Sequence, residues 1–148
     1  MNCIITLEEI NQTNRQFYKA FETAFIESLN KYQSRIYPNE NAEKLLWYYI
    51  KTNGEYIGSV WLEKEENQTY AVLGIFIADE SHRNKGFGSK AIRLMLDKAV
   101  LINVDEVHLN VRENNIRAIN CYRNIGFVET EKYETDKGIA AIKMVYRI

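Results

Sequence analysis

The feature that most limits what this chain can fold into is an Asn-Gly pair, Asn53-Gly54, held between two strand-like runs, "LLWYYIK" and "EYIGSVWLE". Aromatic and β-branched residues crowd both runs, as they do on pleated surfaces. Asn-Gly supplies the two positive-φ positions of a tight hairpin. A second turn, "KEENQT", leads into a third run, "YAVLGIFIA". The middle of the chain is therefore expected to be an antiparallel meander.

The flanks follow a different period. Phe17, Phe21, Ala24, Phe25 and Leu29 fall on one helical stripe, with Lys19, Glu22 and Glu27 off it, after a short "CIIT" strand. Beyond the meander, Ile92, Met95, Leu96 and Ala99 repeat as in a helix, and Val107, Leu109 and Val111 alternate as in a strand. Strand, helix, strand implies a parallel crossover. A short helix is expected over Asn115–Ile125, and "FVETEKY", "TDKG" and "IAAIKMVYRI" read as a closing hairpin. The expected fold is one α/β domain over residues 1–148, a mixed sheet with helices on both faces. Pro38, in "IYPNEN", marks a loop rather than a domain boundary.

Composition narrows the function classes. A net charge of −1 with 26% charged residues lacks the basicity of a general nucleic-acid binder, so any anion site is local. Cys3 and Cys121 share no metal-ligand spacing and read as two reduced thiols; neither His82 nor His108 ties Cys121 to a nucleophile's role. No metal site is expected. The start, "MNCIITLEEI", lacks the layout of a signal peptide, and no apolar run is long enough to span a bilayer. A cytoplasmic protein without membrane or nucleic-acid partners is expected.

Between the third run and the second helical pattern lies Arg83-Asn84-Lys85-Gly86-Phe87-Gly88-Ser89. A strand feeding a glycine loop that opens a helix collects backbone N–H groups at the positive helix end, which suits a phosphate. Gly86 and Gly88 let an anion approach the backbone, and Arg83 and Lys85 add charge. Two other readings of the loop stand beside this one. It is also compatible with a solvated turn, and Gly86 to Ala91 matches the GxGxxG/A dinucleotide fingerprint, with Asp105 and Glu106 about twenty residues on. The fingerprint lacks its context, because a polar run from Asp79 to Lys85 separates strand from glycine.

A second motif follows, "VRENNIRAINCYRNIGF", in which Asn115, Ala118 and Tyr122 share a helix face. Together the two motifs resemble the GNAT-type N-acetyltransferase family, across about Tyr70 to Phe127. The family's R-x-x-G-x-G corresponds to Arg83, Gly86 and Gly88, and its V-x-x-x-N-x-x-A-x-x-x-Y-x-x-x-G-F to Val111, Asn115, Ala118, Tyr122, Gly126 and Phe127. The run "IFIADESHRNKGFG" is most similar to the branch of ribosomal-protein, polyamine and aminoglycoside acetyltransferases.

The resemblance implies acetyl-CoA as donor, with its pyrophosphate on the loop from Arg83 to Ser89 and its pantetheine arm beside Ile75, Phe76 and Ile77. It implies a bulge, for which Gly74 is suited, that splays this strand from the next. An oxyanion donor is expected from the N–H of Ile75 or Phe76, and Tyr122 is the expected general acid. Asn115 is expected to cap its helix and touch the cofactor, and Arg123 is a further candidate for a CoA phosphate. No base stands out. Asp79, Glu80 and Glu106 are candidates by composition only, His82 reads as loop, and His108 reads as a packed or hydrogen-bonded histidine.

The acceptor is expected to be a primary amine of a small molecule or protein, met by the first helix, the Tyr37-Pro38 loop and strands bearing Trp47, Tyr48, Tyr49, Tyr56 and Trp61. Alternatives are a silent acetyl-CoA-binding sensor module and a Rossmann-type nucleotide binder. The terminal hairpin offers strand edges for a homodimer.

Overall fold

A computed structural model describes residues 4–29, 35–78 and 86–148. In chain order its elements are β1 (Thr6–Glu9), α1 (Lys19–Ala24), β2 (Lys44–Thr52), β3 (Glu55–Lys64), β4 (Ala71–Ile77), α2 (Phe87–Lys98), β5 (Glu106–Arg112), α3 (Ile116–Ile125), β6 (Val128–Glu134) and β7 (Ala140–Arg147). The strands form one sheet in the order β1-β2-β3-β4-β5-β7-β6. Among the described residues only β4 and β5 pair in parallel, and α2 lies between them in the chain. No helix among the described residues is long and apolar enough to cross a membrane.

The meander forms where its turns require it. Asn53 and Gly54 both take positive φ, at 50° and 77°, and close a two-residue loop between the paired Thr52 and Glu55. Alternation along the strands then sorts side chains into two cores. Ile50, Val60, Leu62 and Leu73 pack with Ile92, Met95 and Ile119 of α2 and α3. Trp47, Tyr49, Trp61 and Phe76 pack with Tyr18 and Phe21 on the other face. The expected α/β architecture, with helices on both faces, is the one observed.

Three details differ from the sequence reading. The first strand is Thr6–Glu9 rather than "CIIT", because Thr6 to Glu9 are the residues that pair with Lys51 to Tyr48 of β2. Residues 1–3, including Cys3, lie outside the described residues. The helical stripe is also out of phase at its start: Phe17 is 50% exposed and Tyr18 takes the core position at 1%. The helix opens as a 3-10 turn over Arg15–Tyr18, whose three residues per turn shift the buried face before the α period begins.

The third correction concerns Gly74. It faces Trp61 in an unbroken ladder between β3 and β4, so there is no bulge at this position. A Cβ on Gly74 would lie 2.0 Å from the Trp61 ring, so the glycine makes room for an indole laid across the strand. The expected splay is present nonetheless. β4 and β5 pair only at Ala71 with Val107 and Val72 with His108, after which the strands part.

Candidate functional site

The opening between β4 and β5 organises the site. The Ala78 N–H donates to the Ile57 carbonyl at 2.8 Å. Hydrogen bonding alternates along an antiparallel pair, so Phe76 and Gly74 direct their amides to β3 while Ile75 and Ile77 turn theirs toward the splay. The Phe76 ring is 1% exposed, 5.4 Å from the Phe21 ring in the second core. Of the three residues expected beside a pantetheine arm, Ile75 and Ile77 face the opening and Phe76 does not. The oxyanion role considered for the Phe76 N–H has no geometric support, because that amide belongs to the β3 ladder.

The N-terminus of α2 abuts the same opening. Gly86 is its N-cap at φ 80°, a left-handed conformation that favours glycine. The first i to i−4 bond runs from Lys90 N–H to the Gly86 carbonyl, so Gly86 to Ser89 form the positive helix end. A Cβ added to Gly88 would meet Ile75 Cδ1 at 3.7 Å, which puts the helix end against β4. Phe87 buries its ring in the core, anchoring the turn and leaving only its backbone for a ligand. Arg83, Asn84 and Lys85, with Asp79, Glu80 and His82, lie outside the described residues.

α3 packs on the same face of the sheet as α2. Asn115 caps it, its side chain accepting from the Ala118 N–H at 3.3 Å. Ala118, Cys121 and Tyr122 pack against the core that Ile75 and Ile77 also join. The Tyr122 ring sits 6.0 Å from Phe127, and burial pushes its phenol well above the usual value, so it stays protonated at neutral pH. Burial also raises the Cys121 thiol, which speaks against a thiolate nucleophile there. Arg123 is a solvent-facing side chain directed to Glu129, at 3.6 Å.

The opposite face of the sheet carries a feature the sequence reading missed. Tyr70, Val72, His108, Asn110, Tyr133 and Lys143 line a groove of about 320 Å³ where β4 and β5 part. Tyr70 stacks on His108 with centroids 3.7 Å apart and planes 5° from parallel. His108 Nε2 lies 2.9 Å from Glu106 Oε1, and this hydrogen bond is the main reason the Glu106 carboxyl falls below its ordinary value. Tyr133 donates to Asn110 Oδ1 at 2.9 Å. Alternation in β5 was legible, since His108 and Asn110 interleave with the core residues Val107, Leu109 and Val111. What gathers opposite them was not, because it comes from β4, β6 and β7.

The aromatics expected around an acceptor divide differently. Trp47, Tyr49 and Trp61 are core residues, and the guanidinium of solvent-exposed Arg15, which pairs with Glu40, sits 4.8 Å over Trp47. Tyr48 packs on the other face. Tyr56 lines a second recess, of about 410 Å³, with Phe17, Phe21 and Ala78.

Residues 7–127 match the model of the acetyltransferase (GNAT) family. The chain belongs to the GNAT acetyltransferase family. Among curated GNAT relatives it is 29% identical over 89 residues to N-alpha-acetyltransferase 30 of Dictyostelium discoideum, covering 59% of this chain and 48% of that one. It is 32% identical over 71 residues to the spermine/spermidine N(1)-acetyltransferase of Bacillus subtilis, 47% and 40% of the two chains. The chain spans about half the length of the curated relatives it matches. A crystal structure of the Vibrio cholerae spermidine N-acetyltransferase with CoA and spermine superposes with TM-score 0.74 at 20% identity, covering 97% of this chain and 95% of that one. An aminoglycoside acetyltransferase in complex with coenzyme A gives 0.76 at 18%, over the same shares. The GNAT fold therefore extends over nearly the whole chain, and the splayed strands, the α2 N-terminus and the Asn115-to-Tyr122 helix are its parts here.

Proposed function

We propose that this GNAT domain, read as residues 1–148, is an N-acetyltransferase that moves the acetyl group of acetyl-CoA to a primary amine of a small molecule or protein. The observation that carries the reading is the convergence of two features on one opening: the β4 edge at Ile75 and Ile77, and the positive end of α2. Gly86, Phe87, Gly88 and Ser89, with Arg83, Asn84 and Lys85, hold the pyrophosphate through backbone N–H groups and local charge. The amides of Ile75 and Ile77 align the pantetheine arm as a strand would. Asn115 caps α3 and borders the site, and Arg123 contributes at most a peripheral charge, since it is directed to Glu129.

Tyr122 is the general acid. A phenol kept neutral by burial holds its proton for the departing thiolate. The relatives named for polyamine, aminoglycoside and N-terminal acetylation all act on amines, which supports the acceptor class. A free Cys121 thiol and a metabolic donor suit the cytoplasm. The outer edge of β6, charged by Glu129, Glu131 and Lys132, is the strand edge this reading offers for a homodimer contact.

Calorimetric titration with acetyl-CoA, NAD and ATP tests the loop, and only acetyl-CoA is expected to bind. Tyr122→Phe is expected to lower turnover by roughly 10²- to 10⁴-fold with acetyl-CoA affinity nearly intact. Unchanged turnover removes Tyr122 from the chemistry. Binding without thiol release favours the silent sensor module.

A further inference from the structure

The acetyltransferase reading leaves the proton on the acceptor nitrogen unassigned, and the groove on the far face of the splay supplies a group for it. We propose, resting on that reading, that His108 is the general base that takes this proton, and that Glu106 is the positioning residue that orients it. Four observations converge. His108 occupies the last paired rung between β4 and β5, so it stands where the opening begins. Its side chain lines the groove, on the sheet face opposite Tyr122. The Glu106 carboxylate at Nε2 selects the tautomer with the proton on that nitrogen, which leaves the lone pair on Nδ1. Nδ1 is buried and has no hydrogen-bond partner among the described residues.

An imidazole with one nitrogen fixed by a carboxylate and the other unpartnered is the arrangement used to accept a proton and hold the resulting charge. Other groups face it from the neighbouring elements. Arg147 of β7 lies 3.7 Å from the second Glu106 oxygen, and Lys143 of β7 pairs with Glu131 of β6 at 3.8 Å. Tyr70 covers one ring face, and Tyr133 is engaged with Asn110.

The step balances. The amine nitrogen attacks the thioester carbonyl carbon, a C–N bond forms and the C–S bond breaks. The surplus N–H proton passes to His108 Nδ1, and the sulfur leaves with the Tyr122 proton. Solvent then takes the proton from His108 and returns one to Tyr122. The amine arrives from one face of the sheet and the sulfur is protonated from the other, so acid and base do not neutralise each other.

The test uses the full chain with acetyl-CoA and three acceptors: spermine, kanamycin and a short peptide with a free N-terminus. His108→Gln is expected to lower kcat by roughly 10²- to 10⁴-fold, leave acetyl-CoA affinity within about twofold, and abolish the acidic limb of the kcat–pH profile. kcat reports groups in the bound complex, so the free acceptor's ionisation does not enter, and a limb that stays in place in both His108→Gln and Glu106→Gln belongs to the bound ammonium. Glu106→Gln should retain a limb but move it to lower pH, since the imidazolium loses a stabilising charge, and Glu106→Asp should move it back. This pair keeps the proposal testable if His108→Gln fails to fold. Turnover lost in His108→Gln with the limb unmoved makes the role structural and overturns the proposal, as does an unmoved limb in Glu106→Gln. Wild-type chain that binds acetyl-CoA but releases no thiol with any of the three acceptors overturns the acetyltransferase reading and His108 with it. Normal turnover in His108→Gln overturns His108 alone.

Discussion

Tyr18 carries a hydroxyl into the aromatic core, where it donates to the Ile36 carbonyl and shares a hydrogen bond with Ser59. Burial pushes its pKa from 10 up to about 12. A group whose folded-state value is raised lends stability that is fully present below the unfolded value and is lost as pH rises through the folded one. Stability is therefore expected to fall between about pH 10 and 12, followed by denaturant melts across that range. Tyr18→Phe should be less stable at neutral pH by about 1–3 kcal/mol, because the Ile36 carbonyl and Ser59 lose a buried partner. The variant should also lose part of the alkaline slope, and an equal slope in both chains would remove Tyr18 as its source. The sequence reading assigned this core position to Phe17. No periodicity rule exposes the error, since a single 3-10 turn moves the buried face by a residue without changing the apolar content.

At the level of elements, Asn115 links a cap to the proposed site. Asn115→Ala should cost about 0.5–2 kcal/mol through the lost cap, whereas Asn115→Ser keeps an accepting oxygen and most of that stability. If Asn115 also borders the cofactor, Asn115→Ser should still raise the KM for acetyl-CoA severalfold. Thermal melts set beside the two KM values separate the roles, and a Ser variant indistinguishable from wild type leaves Asn115 a cap alone. Elements of this kind were legible because their signals are local: the Asn53-Gly54 turn, the alternation of β5 and the cap before α3 all lie within a few residues. The features that escaped depend on register between distant segments. Gly74 reads as a bulge until Trp61 is found lying on it. Likewise Phe76 reads as a cofactor neighbour until the β3 ladder shows which way its amide points. His108 reads as a packed or hydrogen-bonded histidine and is both, stacked on Tyr70 and bonded to Glu106; what escaped is the groove that β4, β6 and β7 build around it.

At the scale of the whole molecule, the sheet is two antiparallel blocks, β1 to β4 and β5 to β7, joined along their shared edge by only two residue pairs. α2 and the common core supply the rest of the connection. A ligand seated in the opening, bonded to β4 and to the end of α2, would act as the missing rungs of that edge. Binding to the folded state alone stabilises it by about 2.7 kcal/mol at a ligand concentration of 100 times Kd. For a chain of this size that corresponds to a Tm increase of roughly 5–10 °C. The distribution of the effect is the sharper expectation. In hydrogen exchange, the amides of Ile75 and Ile77 and those opening α2 should gain protection with coenzyme A beyond the global increase, while those of Gly74 and Phe76 and the hairpin of β2 and β3, already paired, should follow the global increase alone. Uniform protection, or an excess centred on the groove around Tyr133 and Lys143, would mean that the coenzyme binds somewhere other than between the parted strands.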